Sequence, residues 1–129
     1  MSQIKIYGLA KHLNPIKAKL SDSIHSCIVE ALQYPLDKRA HRFFPLNDSD
    51  FYYPPGRTEK YTVIEISIFE GRAVETKKRL IRLLFERLEQ DLEIMPQDVE
   101  ITIFETPKHN WGMRGQAGDE LALNYKVEL

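Results

Sequence analysis

The clearest pattern in the chain lies between Tyr61 and Thr106. Ile64, Ile66 and Ile68 alternate with Val63, Glu65 and Ser67, the period of a strand with one buried face. Glu70-Gly71-Arg72 then reads as a tight turn. Leu80, Leu84, Leu88 and Leu92 follow at helical spacing, predicting a helix from about Ala73 to Leu92. Beyond Pro96, Val99 to Phe104 alternates again. The first half repeats this pattern. Moved back by 60 positions, Ile64 and Ile66 fall on Ile4 and Ile6. The four leucines fall on Leu20, Ile24, Ile28 and Leu32, and Ile103 falls on Phe43. One shift that holds through strand, helix and strand predicts two βαβ units in tandem, over 2–46 and 62–106.

The expected fold is therefore α+β: a four-stranded mixed sheet with two helices on one face, in a single domain spanning 1–129 with a tail over 107–129. In the first unit, Gln3 to Leu9 reads as a strand. Asn14-Pro15 reads as a helix start, with Asn14 as the cap, and the helix runs to about Leu32. Ala40 to Leu46 reads as the second strand. Asn47 to Lys60 is polar and proline-rich, hence a loop. Its Phe51-Tyr52-Tyr53 needs burial, either on its own domain or on another subunit. The tail is glycine-rich, with a possible short strand at Tyr125 to Val127. The sheet face away from the helices would carry Tyr7, Val63, Phe69 and Phe104, a half-apolar surface that argues for an oligomer.

Composition narrows the function classes. The 129 residues are 43% hydrophobic and 29% charged, an ordinary globular balance. A net charge of -1 provides no general field for nucleic acid or membrane, and neither partner is expected. No run approaches the roughly 18 apolar residues of a membrane helix, and no secretory leader pattern follows Met1, so a cytoplasmic protein is expected. A single cysteine excludes an internal disulfide, and Cys27 falls in the apolar stripe of the first helix, where it reads as a small buried hydrophobe. His12, His25, His41 and His109 lack metal-ligand spacing, and no metal or other cofactor is expected. Asp48 and Asp50 lack the glycine and glutamate of a calcium loop. Lys77, Lys78, Arg79, Arg82 and Arg87 read as a solvated helix face. A single glycine in the turn before the second helix is a weak phosphate signal, and no glycine-aromatic strand signature of an RNA-binding sheet is present.

Two motifs carry a family resemblance. The stretch IFEGRAVETKKRLI at 68–81 resembles the turn and helix start of the 4-oxalocrotonate tautomerases. The stretch NWGMRG at 110–115 resembles the aromatic-glycine loop that closes their active site. Chain length, Tyr34-Pro35 and that tail resemble the malonate semialdehyde decarboxylase-like branch of the same superfamily, whose fold is also that of the MIF-like proteins.

The resemblance implies a homotrimer. It also implies an amino-terminal proline as acid or base, arginines that hold the carboxylate of a small 2-oxo acid, and an aromatic residue that lowers the local dielectric. Residue by residue, Arg72 matches the substrate arginine and Trp111 the closing aromatic. Arg39 or Arg42 matches a second arginine, and the acidic residue after the proline falls near Asp37 or Lys38. Arg114, beside Trp111, is a further candidate anion clamp. Glu70 stands near the position of a decarboxylase arginine, which argues against decarboxylation.

The departure is at the front. Aligned through the repeat, the proline position is Thr62 in the second unit and Ser2 in the first. Ser2 is small, so loss of Met1 is expected, leaving a primary amine with an unperturbed pKa of about 7.7–8.0. That amine could act as base near neutral pH, lowered by Arg72 and burial, or Ser2 could be a frayed terminus. The expectation is a tautomerase-like isomerase using Ser2 and Arg72 on a 2-oxo or enol carboxylic acid. The alternative is a non-catalytic relative that keeps an anion pocket.

Overall fold

The computed structural model describes residues 2–123 and 125–129. Removal of Met1 therefore lies outside the described residues. Strand β1 (Ser2–Leu9) leads into one helical turn, α1 (Ala10–Leu13), and then α2 (Lys17–Leu32) and β2 (His41–Leu46). The second unit is β3 (Thr62–Phe69), α3 (Val74–Leu92) and β4 (Val99–Thr106). The sheet order is β2-β1-β3-β4. β1 and β2 run parallel, as do β3 and β4, and the two units meet through the antiparallel pair β1–β3. This is the mixed four-stranded sheet that two tandem βαβ units predict.

Register decides what each face carries. Ile4 and Ile6 lie opposite Ile66 and Ile64, and all four are at most 1% exposed. They pack on the stripes of α2 (Leu20, Ile24, Cys27, Ile28) and α3 (Leu80, Leu84, Leu88) in one core. The outer face carries Tyr7 stacked on Phe44, Glu65 hydrogen-bonded by the Tyr7 hydroxyl at 2.7 Å, and Phe104 at 48% exposed. Phe69 does not join that surface. Alternation sends it outward, but the segment after β4 folds over it and leaves it fully buried.

The helix start departs from the sequence reading. Asn14 closes α1, its N–H donating to the Ala10 carbonyl, and caps nothing with its side chain. α2 starts two residues beyond Pro15, preceded by Ile16. The reason is Leu13, which is fully buried and within 3.0–3.2 Å of where a side chain on Gly8 would begin, so the first turn is drawn into the core early.

The tail also differs. Tyr125 to Val127 forms no strand; the tail's pairing is instead a hairpin of β5 (Gly112–Met113) and β6 (Gln116–Ala117). Its two central residues, Arg114 and Gly115, both have positive φ, the turn that suits a two-residue hairpin loop. Of the aromatic patch in the 47–60 loop, Phe51 and Tyr53 pack against the ring of Tyr61, while Tyr52 stays 88% exposed. No helix among the described residues is long and apolar enough to cross a membrane.

Candidate active site

The helix ends build the site. α2 closes at Gln33 in the left-handed conformation, with its N–H on the Val29 carbonyl. The Tyr34 N–H bonds the same carbonyl, and Pro35 prevents continuation. This turn drives Tyr34 under the sheet end, where it is 3% exposed. Its hydroxyl accepts a hydrogen bond from the Ser2 nitrogen at 3.0 Å. Ser2 itself is 4% exposed and sits opposite Ile68 near the end of β3, so it is held in the sheet rather than frayed.

Arg72 follows from the same strand end. The chain turns at Gly71, whose φ of +131° disfavours any side chain, and Arg72 folds back beneath the turn. Its Nη1 donates to the Phe69 carbonyl at 3.3 Å, while Nε and Nη2 are buried without a partner. Burial pulls the guanidinium pKa below its ordinary value, opposed first by Tyr125 and Tyr34 and then by Glu105 and Glu128. Arg72 thus lies in the field of the tyrosine that contacts Ser2.

The C-terminal segment covers this group. Tyr125 packs edge-on against Tyr34 with ring centroids 4.8 Å apart. Burial, then Tyr34, holds the Tyr125 hydroxyl well above the ordinary phenol range, against the pull of Arg72 and Arg114. Val127 is 1% exposed and packs over Gly71, and the Leu129 carbonyl accepts the Thr76 hydroxyl. Outside Tyr125 lies a cavity of about 330 Å³ lined by Asp37, Lys38, Arg39, Met113, Arg114 and Leu123. Lys38 stands over the Tyr125 ring. Three basic side chains and one carboxylate line the cavity.

The residues singled out in the sequence fall into three places. Ser2 donates to Tyr34, and Arg72 lies within the electrostatic reach of the same tyrosine. Arg39 and Arg114 share the outer cavity, with Arg39 also paired to Asp22 at 2.6 Å. Arg42 lies on the outer sheet face, its Nη1 3.4 Å from Gln3 Oε1, and does not reach that cavity. Trp111 is half-buried with its ring edge-on to Phe69 at 5.1 Å. It lines a separate open cavity of about 600 Å³ with His109, Met113, Gln116 and Glu120. Gly118 is required there: a Cβ would stand 2.5 Å from the Lys108 carbonyl.

Tyr34 and Tyr125 were not read as site residues from the sequence. Tyr34 had a signal: 60 positions on stands Ile94, a fully buried aliphatic, so a hydroxyl there breaks the repeat. Tyr125 has no counterpart in the first half. Two of the histidines are tied into the fold: His25 bonds the Leu36 carbonyl at 2.7 Å, and His41 bonds Ser21 at 2.8 Å. Among the described residues no cluster of three or more His, Cys, Asp or Glu could hold a metal.

Comparison with known proteins agrees with this fold. A family model described as "Tautomerase enzyme" matches residues 38–114. The probable tautomerase YusQ of Bacillus subtilis (strain 168) is 28% identical over 98 residues, covering 72% of this chain and 77% of that one. A malonate semialdehyde decarboxylase structure superposes with a TM-score of 0.81 at 22% identity, covering 92% of this chain and 99% of that chain. A fused 4-OT asymmetric trimer superposes with a TM-score of 0.80 at 23% identity, covering 91% and 96%. Matched by its family model over more than half its length, this chain belongs to the tautomerase enzyme family.

Proposed function

We propose that the protein is an isomerase that interconverts the keto and enol forms of a small 2-oxo carboxylic acid. The observation that carries this reading is Arg72: a buried guanidinium with two unpartnered nitrogens, in the field of Tyr34, which accepts from the Ser2 nitrogen. A carboxylate satisfies both nitrogens at once, because the guanidinium fork matches two oxygens. With Met1 removed, the Ser2 amine would take the enol proton and return it to the neighbouring carbon, a transfer that needs no cofactor. Arg39 and Arg114 would steer the anion inward, and Trp111 would exclude water from its side. Arg39 is favoured over Arg42 as the second cation because it lines the cavity.

The same reading includes a homotrimer, as in the fused 4-OT structure. Tyr7, Phe44 and Phe104 on the outer sheet face provide the apolar surface that other copies would cover. In architecture the chain fits the malonate semialdehyde decarboxylase-like branch. Glu70 in the arginine turn favours isomerisation over decarboxylation.

A second reading has one observation behind it. Residue 2 is serine, a primary rather than secondary amine once freed, so the chain could keep the anion pocket without the chemistry. Keto–enol conversion of phenylpyruvate, measured with Arg72→Ala as control, separates the two. Turnover lost in the control supports the isomerase. Binding of phenylpyruvate without turnover supports the non-catalytic relative, and neither activity nor binding rejects both.

A further inference from the structure

We infer that Tyr34 is a positioning residue for the Ser2 amine, setting its protonation and direction. The inference rests on the reading that this amine moves the proton. The contact is buried: the Ser2 backbone N–H, the nitrogen that becomes the amine once Met1 is removed, donates to the Tyr34 hydroxyl at 3.0 Å, with the two residues 4% and 3% exposed. The tyrosine cannot drift. Its backbone is fixed by the left-handed close of α2 and the bond to Val29, and its ring by the edge contact with Tyr125.

The internal repeat shows what the hydroxyl adds. The second unit also ends its helix at a left-handed residue, Glu93, here with the Ile94 N–H on the Leu88 carbonyl. Ile94 fills the equivalent place and is fully buried. Packing there is met by an aliphatic side chain. The first unit instead places a hydroxyl at the nitrogen of Ser2, the residue in the proline position.

The chemical consequence follows from the donor and acceptor roles. A phenol oxygen that accepts an N–H favours the ammonium form, opposing the fall in pKa that burial imposes. It also holds one N–H bond along the line to Tyr34, so the remaining valences of the nitrogen point elsewhere. Without it the amine loses its proton at lower pH and turns freely.

The test is a pH titration of the Ser2 α-nitrogen by NMR in the ¹⁵N-serine-labelled full chain, with the terminus fixed by intact mass. Tyr34→Phe keeps the ring and removes only the acceptor. We expect the amine pKa to fall by about half a unit or more in this variant, and the acid limb of the phenylpyruvate pH–rate profile to move with it. An unchanged amine pKa in folded Tyr34→Phe overturns the inference, as does an intact mass that retains Met1. The unaltered protein provides an independent check: the ring carbons of Tyr34 should report the midpoint of the amine, and a flat response there also overturns it. A shifted amine pKa without turnover leaves the positioning role standing and sinks the isomerase reading alone.

Discussion

Arg72 donates to the carbonyl of Phe69, three residues back at the end of its own strand, at 3.3 Å. That single bond leaves Nε and Nη2 buried and unpaired. A cation held this way lowers stability. Arg72→Met should therefore stabilise the ligand-free protein, by about 1–3 kcal/mol, since it removes a desolvated charge while keeping an apolar stem. The same variant should lose all thermal stabilisation by phenylpyruvate. Urea unfolding with and without the acid measures both effects, and a variant less stable than the parent in the absence of acid would contradict this account of Arg72.

The C-terminal segment should matter for binding more than for folding. Val127 covers the Gly71 turn, and Tyr125 stands against Tyr34, yet the main core lies between the sheet and the two long helices. A chain ending at residue 124 should fold and lose affinity for phenylpyruvate on the order of tenfold, because Arg72 becomes hydrated and less preorganised. Calorimetric titration reads the affinity, and circular dichroism the fold. Unchanged affinity would show that the segment is not a wall of the site.

His41 should make the protein acid-sensitive. Burial, then the His25 ring at 5.9 Å and Arg39, push its pKa down to about 4. The unfolded chain takes up this proton near its ordinary pKa of about 6.5. Stability is thus complete above that value and is lost as pH falls toward 4, by on the order of 2–3 kcal/mol from this residue. His41→Gln should keep the bond to Ser21 and flatten the slope of unfolding free energy between pH 6.5 and 4. An equal slope in the variant would assign the acid sensitivity elsewhere.

Cys27 should behave as a core residue. It is fully buried in the stripe of α2, and burial pushes the thiol up to about 11. Its reaction with a disulfide reagent at pH 8 should therefore proceed only as fast as the protein opens, and reach the free-thiol rate in denaturant. Rapid labelling of the native protein would contradict the placement.

What the sequence made legible follows from periodicity. The isoleucines of β1 and β3 and the leucines of α3 have strict spacing because both layers bury one face, and the 60-residue shift carries the pattern through both units. The start of α2 was misread because Asn14-Pro15 is a strong local signal, whereas burial of Leu13 is a tertiary effect. Phe69 was placed on the open face because alternation says nothing of a loop that returns forty residues later. In the candidate site, the turn that presents Arg72 was legible from Glu70-Gly71-Arg72. Tyr34 and Tyr125 were not, since each acts through a neighbour far along the chain: Ser2 for one, Tyr34 for the other. Arg39 and Arg42 differ by three positions, and only the register of β2 shows that Arg42 lies on the outer face.

The most direct test of proton transfer at this site is hydrogen exchange at C3 of phenylpyruvate in heavy water, followed by proton NMR with protein of verified terminus. The account predicts loss of the C3 proton signal well above the buffer rate, with Arg72→Ala at the buffer rate. Exchange no faster than buffer from the folded, unaltered protein would contradict it and leave the buried arginine as a binding site alone.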